Sequence, residues 1–353
     1  MKVRLESEQG QRLEFRSGEI GKMKKWSKTQ WTGTVLSCIL MGLILLVMLI
    51  LAWPNTKEQD PYKLIFIPKT IDPNNGFWTS LIEGAKLGAT ELGAEIEVYG
   101  ADAEEDVEEQ IDLIYSCIEK KPDALLVAPA DYSRTTDALR KAKESGIKII
   151  LLDSKIDQNI ADAVVCTDNY VAGKELGEYA SQFLNEDSVI GIVAHVQGTS
   201  TAVDRETGIR EGLGRFESQI IDVVFCNSSY QKAYDLTKAM LEKYPNITMM
   251  IGTNEYSAVG AARAICDLNL IDQIKMVGFD SSIEEIQYLE SGIFEAIVVQ
   301  KPFNMGYLGV EQAINVLTNR EVEHDVDSGS EMITQENLYE EENQRLLYPF
   351  SGQ

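Results

Sequence analysis

Histidine is nearly absent from this chain of 353 residues: His195 and His324 are the only two. So small a set removes support for a His-rich metal site and for most histidine-based catalysis. Cysteine is sparse as well. Cys38, Cys117, Cys166, Cys226 and Cys266 include no Cys-x-x-Cys pair. Buried free thiols are expected, with room for one disulfide. Basic residues are few: 32 Lys and Arg stand against 56 Asp and Glu, a net charge of -24. A nucleic-acid binder needs a basic face, so that class is set aside, and the charge suits a well-solvated exported protein. No Walker A loop is present. Gly198-Thr199-Ser200-Thr201-Ala202 ends in Ala, so it is no full nucleophile elbow. Asp267–Asp272 starts like a calcium loop but has Ile271 at the third ligand position. No metal, cofactor or catalytic constellation is expected.

What the chain does have is one long apolar run. Residues 35–53, VLSCILMGLILLVMLILAW, carry no charge. At about 1.5 Å per residue they reach about 28 Å, close to the hydrocarbon thickness of a bilayer. Trp26, Trp31 and Trp53 flank the run as interfacial anchors would. Eight Lys or Arg precede it against four Glu, which orients the N-terminus to the cytoplasm. A cleaved signal peptide has a shorter apolar stretch and a small-residue cleavage site, whereas Trp53-Pro54-Asn55 follows here. The expectation is a cytoplasmic basic tail over residues 1–33, an uncleaved signal anchor over 34–53 and a linker over 54–61.

The second feature is a stretch written twice. ALLVAPADYS at 124–133 leads through a helical pattern to IKIILLDS at 147–154. ITMMIGTNEYS at 247–257 leads through another to IKMVGFDS at 274–281. Each copy puts an acid and Tyr-Ser at one strand tip and Asp-Ser at the next. Two similar halves with polar tips suggest two lobes facing a ligand.

Short apolar runs fit buried parallel strands at 63–67, 95–99, 124–128, 148–152, 163–166, 189–194, 220–225, 248–251, 275–278 and 296–299. Amphipathic helical stretches lie between them. The alternation implies an α/β fold with doubly wound parallel sheets. The acidic stretches 321–326 and 336–343 read as solvated surface.

Ligands of such sheets bind beyond the carboxyl ends of the strands. The residues there are rich in carboxylates and amides: Asp131, Asp153, Asp168, Asn254, Glu255, Asp280 and Gln300, with Arg205 as a cation and Phe77, Trp78 and Tyr230 as aromatics. Such groups suit a sugar. Hydroxyls both donate and accept, and aromatic faces cover the C–H faces of a ring. The competing reading for each polar residue is turn or helix capping. Asp153 and Asp280 also have the make-up of a glycosidase pair.

Several motifs together, in order and spacing, resemble the periplasmic sugar-binding proteins of the ribose-binding type over residues 62–353. They are Asn75-Gly76-Phe77-Trp78, Leu152-Asp153, Thr167-Asp168-Asn169, Gly198-Thr199-Ser200 with Arg205, Asn254-Glu255, Val277-Gly278-Phe279-Asp280 and Gln300. The resemblance implies a type I periplasmic binding protein fold, with two lobes joined by three hinge crossings near Thr167, Gln300 and residues 328–331. One lobe would take residues 62–167 plus 301–329, the other 168–300 plus 330–353. It also implies ligand contacts from Asn75, Asp153, Arg205, Asn254, Asp280 and Gln300, ring stacking by Phe77 and Trp78, and a further aromatic at Tyr230.

Two departures stand out. Ser154, also expected among the ligand-binding residues, occupies a position where the ribose-type pattern has Arg, and the loop 68–76 is about two residues longer and carries Lys69. Lys69 could stand in for that arginine at the ring. The implied function is capture of a small sugar for an ABC importer permease. The alternative is a sensor presenting its bound form to a membrane histidine kinase. A sugar-responsive repressor shares the fold but needs a helix-turn-helix where this chain has its apolar run. A hydrolase would turn the sugar over, and the resemblance favours binding.

Overall fold

The computed structural model describes residues 27–52 and 60–348; the tail before Ser27, most of the linker and residues 349–353 lie outside them. Two units separate at Asp60. The first contains helix α1, Lys28–Ala52. Its stretch Lys28–Met48 has a mean hydropathy of 2.2 and is long and apolar enough to cross a membrane. The helix begins six residues before the expected anchor because Ser27 and Gln30 cap it reciprocally, each side chain accepting from the other's backbone N–H at 3.3 Å. Apolarity marks a span and says nothing of the cap that extends it.

The second unit holds two six-stranded sheets. Chain order runs β1 Tyr62–Ile67, α2 Gly76–Glu91, β2 Ala94–Val98, α3 Val107–Glu119, β3 Ala124–Val127, α4 Thr136–Glu144, β4 Lys148–Leu152 and β5 Ala163–Cys166. It continues with α5 Asn169–Ser181, β6 Ile190–Ala194, α6 Ser200–Leu213, β7 Ile220–Phe225, α7 Tyr230–Lys243, β8 Met249–Gly252, α8 Glu255–Asp267, β9 Lys275–Phe279, α9 Ile283–Glu290 and β10 Phe294–Gln300. α10 Pro302–Leu317, β11 Asp325–Asp327, β12 Ser330–Thr334 and α11 Glu341–Leu347 complete it. Sheet order is β11-β5-β4-β3-β1-β2 in the first lobe and β12-β10-β9-β8-β6-β7 in the second.

Alternation explains why the strands read as unbroken apolar runs. Leu64 and Phe66 of β1 face one core, with Leu126, Ile150 and Leu152. Ile65 and Ile67 face the opposite core, with Leu125, Val127, Ile149 and Leu151. A strand buried on both faces has no polar side to alternate with. The second sheet is likewise covered on both faces.

All ten expected strands form. The structure adds β11 and β12, edge strands of Asp-Val-Asp and Ser-Glu-Met-Ile-Thr that lack an apolar run. β11 pairs in parallel with β5, whereas β12 pairs antiparallel with β10. The acidic stretches expected at the surface are therefore partly structural: 321–326 leads into β11, and Leu338 and Leu347, on either side of the acids, are buried in the second lobe's core. The five cysteines are unpaired, and Cys117, Cys166 and Cys226 are buried.

One glycine-lined helix pair stiffens each lobe. A Cβ added at Gly84 of α2 would fall on the Phe303 carbonyl oxygen of α10, and one at Gly306 would fall on the Leu81 oxygen in return. α5 and α6 repeat the device, with Gly173 against Arg205 and Gly208 against Tyr170. The chain passes between sheets after β5, after β10 and between β11 and β12. The Thr167 hydroxyl donates to Gln300 Oε1 at 2.9 Å and lies 3.5 Å from Ser328 Oγ. Asp168 N–H donates to Asp327 Oδ1 at 3.1 Å. These bonds tie the three crossings into one hinge.

Candidate functional site

The carboxyl ends of both sheets meet at one cavity. Its walls come from the loops after β1 (Lys69, and Asn75, Phe77 and Trp78 at the start of α2), β2 (Glu104) and β4 (Asp153) in the first lobe. The second lobe supplies His195, Thr201 and Arg205 after β6, Asn254 after β8 and Asp280 after β9, and Gln300 ends β10. A water molecule's centre can range over ≈ 20 Å³ of it. Restoring a water radius of about 1.4 Å around even a spherical space of that size gives at least about 120 Å³, some four waters' share of liquid. One hydroxylated five- or six-membered ring is of that scale.

Two aspartates occupy equivalent places, one per half. Asp153 follows β4 with φ 62°, and Asp280 follows β9 with φ 77°. A non-glycine residue in the left-handed region is disfavoured, though Asp tolerates it better than most. In each, the backbone N–H donates to the neighbouring strand, Asp153 to Val165 O at 3.0 Å and Asp280 to Val298 O at 2.8 Å. The turn of the chain after the strand sets the carboxylate at the sheet's edge. Asp153 Oδ2 accepts from Lys69 Nζ at 2.7 Å and from Ser154 Oγ at 2.6 Å. Asp280 accepts from the Glu255 N–H at 2.9 Å and from Gln300 Nε2 at 2.7 Å.

Arg205 is 2% exposed. Its Nε donates to Asn169 Oδ1 and its Nη1 to Thr253 O, both at 2.7 Å, with the guanidinium 4.5 Å above the Phe279 ring. Guanidinium has five N–H groups, so three stay available to a ligand. His195 lies between Thr253 Oγ1 at 2.8 Å and Thr201 Oγ1 at 2.9 Å. Burial, aided by Arg205 and Lys69, holds its pKa well below the ordinary value, so the ring is neutral. Phe77 and Trp78 meet edge to face, 5.0 Å between centroids at 88°.

Capping and ligand chemistry coincide here. Asn75 caps α2 by accepting from the Trp78 N–H at 3.0 Å, and its Nδ2 donates across the cleft to Glu255 Oε2 at 3.0 Å. Asn254 caps α8 through the Ser257 N–H at 3.0 Å and donates to Ser228 Oγ at 3.2 Å. Each amide keeps one N–H to spare. The cap that starts the helix also fixes the amide at the cavity.

Of the ten expected ligand residues, Asn75, Phe77, Trp78, Asp153, Arg205, Asn254, Asp280 and Gln300 line this cavity. Ser154 does not line it; it is 1% exposed and orients Asp153 from behind. Tyr230 lies beside a neighbouring groove, where its hydroxyl donates to Glu255 and its ring packs 4.6 Å from Tyr256. Burial pushes Glu255 up to about 7, although the Tyr230 hydroxyl opposes that shift.

Glu104, like His195 and Thr201, lines the cavity without being among the expected ligand residues. It is 6% exposed, and burial raises its pKa. The available signal was its position after β2, at the same sheet edge as the others. Its surroundings, ADAEEDVEE, look like plain acidic surface. Lys69, 3% exposed, reaches the Asp153 carboxylate as the longer first loop allows.

Comparison with known proteins matches this architecture. The family described as periplasmic binding protein domain matches residues 65–321. The D-ribose/D-allose-binding protein of Pseudomonas aeruginosa is 26% identical over 261 residues, 72% of this chain and 82% of that protein. A sugar transporter from Clostridium phytofermentans, known as a crystal structure, is 45% identical with a TM-score of 0.74, covering 77% of this chain and 99% of that one. An ABC transporter solute-binding protein from Agrobacterium vitis, solved with D-fucose, is 26% identical with a TM-score of 0.78, covering 81% and 100%. The chain therefore belongs to the periplasmic binding protein family, as a solute-binding protein of the type I fold and not an enzyme.

Proposed function

We propose that this protein captures one small sugar between its lobes and passes it to an ABC importer permease, tethered by α1 to the outer face of the cell membrane. The observation that carries the sugar reading is the convergence of carboxylates, amides, Arg205 and two aromatics on a single ring-sized cavity. Asp153, Asp280 and Gln300 would accept from hydroxyls, Arg205 and Lys69 would donate to them, and Phe77 and Trp78 would cover the apolar faces. Ser154 would act through Asp153. Relatives bind D-ribose, D-allose and D-fucose, which defines the ligands to try first. The helix Lys28–Met48 supports the tether.

Titration calorimetry of the full-length chain in mild detergent, against D-ribose, D-allose, D-fucose, D-arabinose and D-tagatose, tests the reading. Saturable binding of one sugar at about micromolar Kd or tighter, lost on Asp280→Ala, supports it. Absence of binding across the panel counts against it. Co-purification with a permease supports the importer role; co-purification with a histidine kinase in its place would count against it.

A further inference from the structure

We propose that the acidic pair Glu104-Glu105 is the clasp by which this protein couples ligand binding to lobe closure; the ligand part of this claim rests on the sugar-binding reading above. Glu104 lines the cavity and holds one group from each lobe. Its Oε1 accepts from Trp78 Nε1 at 2.6 Å, and its Oε2 accepts from the Ser228 hydroxyl at 2.6 Å. Ser228 in turn accepts from Asn254 Nδ2 at 3.2 Å. A continuous chain of bonds thus joins the stacking indole of the first lobe to the ligand amide of the second.

Glu105 extends the grip outward. It accepts from Asn227 Nδ2 at 2.6 Å and from Lys232 Nζ at 2.7 and 2.9 Å. All three donors from the second lobe sit between the end of β7 and the first turn of α7. Asn227 and Ser228 are consecutive non-glycine residues with φ of 51° and 50°. Two left-handed residues in a row are disfavoured unless their surroundings hold them. Here they aim an amide and a hydroxyl at two successive carboxylates on the opposite lobe. Because the bonds cross the cleft, they exist only while the lobes are together. The lobes make these contacts whenever they close, with or without ligand, and around a bound ligand they act on departure and not on encounter.

The test uses the full-length chain and reads both halves of the claim. Without sugar, hydrogen exchange is followed in peptides covering 100–106 and 226–232. Lys232→Glu is expected to speed exchange several-fold in both peptides, and the exchanged pair Glu105→Lys with Lys232→Glu is expected to restore protection. A change confined to 226–232, or no rescue by the exchanged pair, overturns the clasp. With a sugar that binds the wild type, Ser228→Ala is expected to raise the dissociation rate about tenfold or more, as loss of a hydrogen bond to a charged group would, with the association rate within about twofold. A fall confined to the association rate overturns the coupling. If no sugar binds the wild type, the sugar reading fails while the exchange experiment still decides the clasp.

Discussion

The buried ion pair between Lys69 and Asp153 offers the sharpest quantitative test. Nζ and Oδ2 lie 2.7 Å apart, with side chains 3% and 5% exposed. At that depth the pair itself adds little over a well-packed apolar substitute, but removal of one partner strands the other charge in a poorly solvating site, at about 3–5 kcal/mol. Lys69→Met leaves Asp153 with the Ser154 hydroxyl as its remaining side-chain donor. Asp153→Asn takes away the ion-pair partner of Lys69, and Asn is among the few residues that accept the φ of 62° found there. For a unit of this size, unfolding entropy of about 0.6 kcal/mol/K converts the loss into a Tm drop of about 5–8 °C. The double variant strands no charge. It should cost no more than one single variant, a coupling of about 3–5 kcal/mol. Denaturant unfolding or calorimetry of the four proteins measures the cycle. Additive losses, within about 0.5 kcal/mol, would refute the claim that the two groups depend on each other.

Arg205→Lys keeps the charge but loses the planar fork that holds Asn169 and Thr253 while facing the cavity; sugar affinity should fall about 30-fold or more, and a Kd within about threefold of wild type would contradict this. Gly173→Ala pushes a methyl group onto the Arg205 backbone, so Tm should drop by about 2–5 °C for an overpacking cost of about 1–3 kcal/mol; an unchanged Tm would mean the α5–α6 crossing yields freely. His195, held neutral by burial with Arg205 and Lys69 nearby, predicts a pH effect. Below its ordinary value of 6.5 the unfolded chain takes up a proton that the folded chain refuses, so this stability is present above pH 6.5 and is lost as pH falls, by up to about 1.4 kcal/mol per unit. Glu255, raised to about 7, works in the opposite sense below that pH; subtracting the curve of His195→Gln isolates the histidine, and a flat difference between about pH 6.5 and 5 would refute the assignment.

Much of this architecture is legible in the residues themselves. Double-sided burial turns strands into apolar runs, and the internal repeat places Asp153 and Asp280 at equivalent strand tips, where the structure finds both in the left-handed region. What stays hidden is of three kinds. β11 and β12 are held by edge pairing, which needs no apolar run. Glu104 looks like one acid among many because the groups that hold it, Trp78 and the opposite lobe's Ser228, are distant in sequence. Tyr230 has the right chemistry at the right strand end, but the first turn of α7 sends it toward Glu255 and Tyr256 and away from the cavity. Local sequence specifies caps and strand tips. Which tips meet is decided by how the lobes close.

A crystal structure of the protein grown with the sugar that binds it would show where between the lobes the ligand sits. Density for one ring is expected inside the cavity, against Phe77 and Trp78, with hydroxyls bonded to Asp153, Arg205 and Asp280. Ligand density outside the ring of residues between the lobes, with that cavity holding water alone, would contradict that placement.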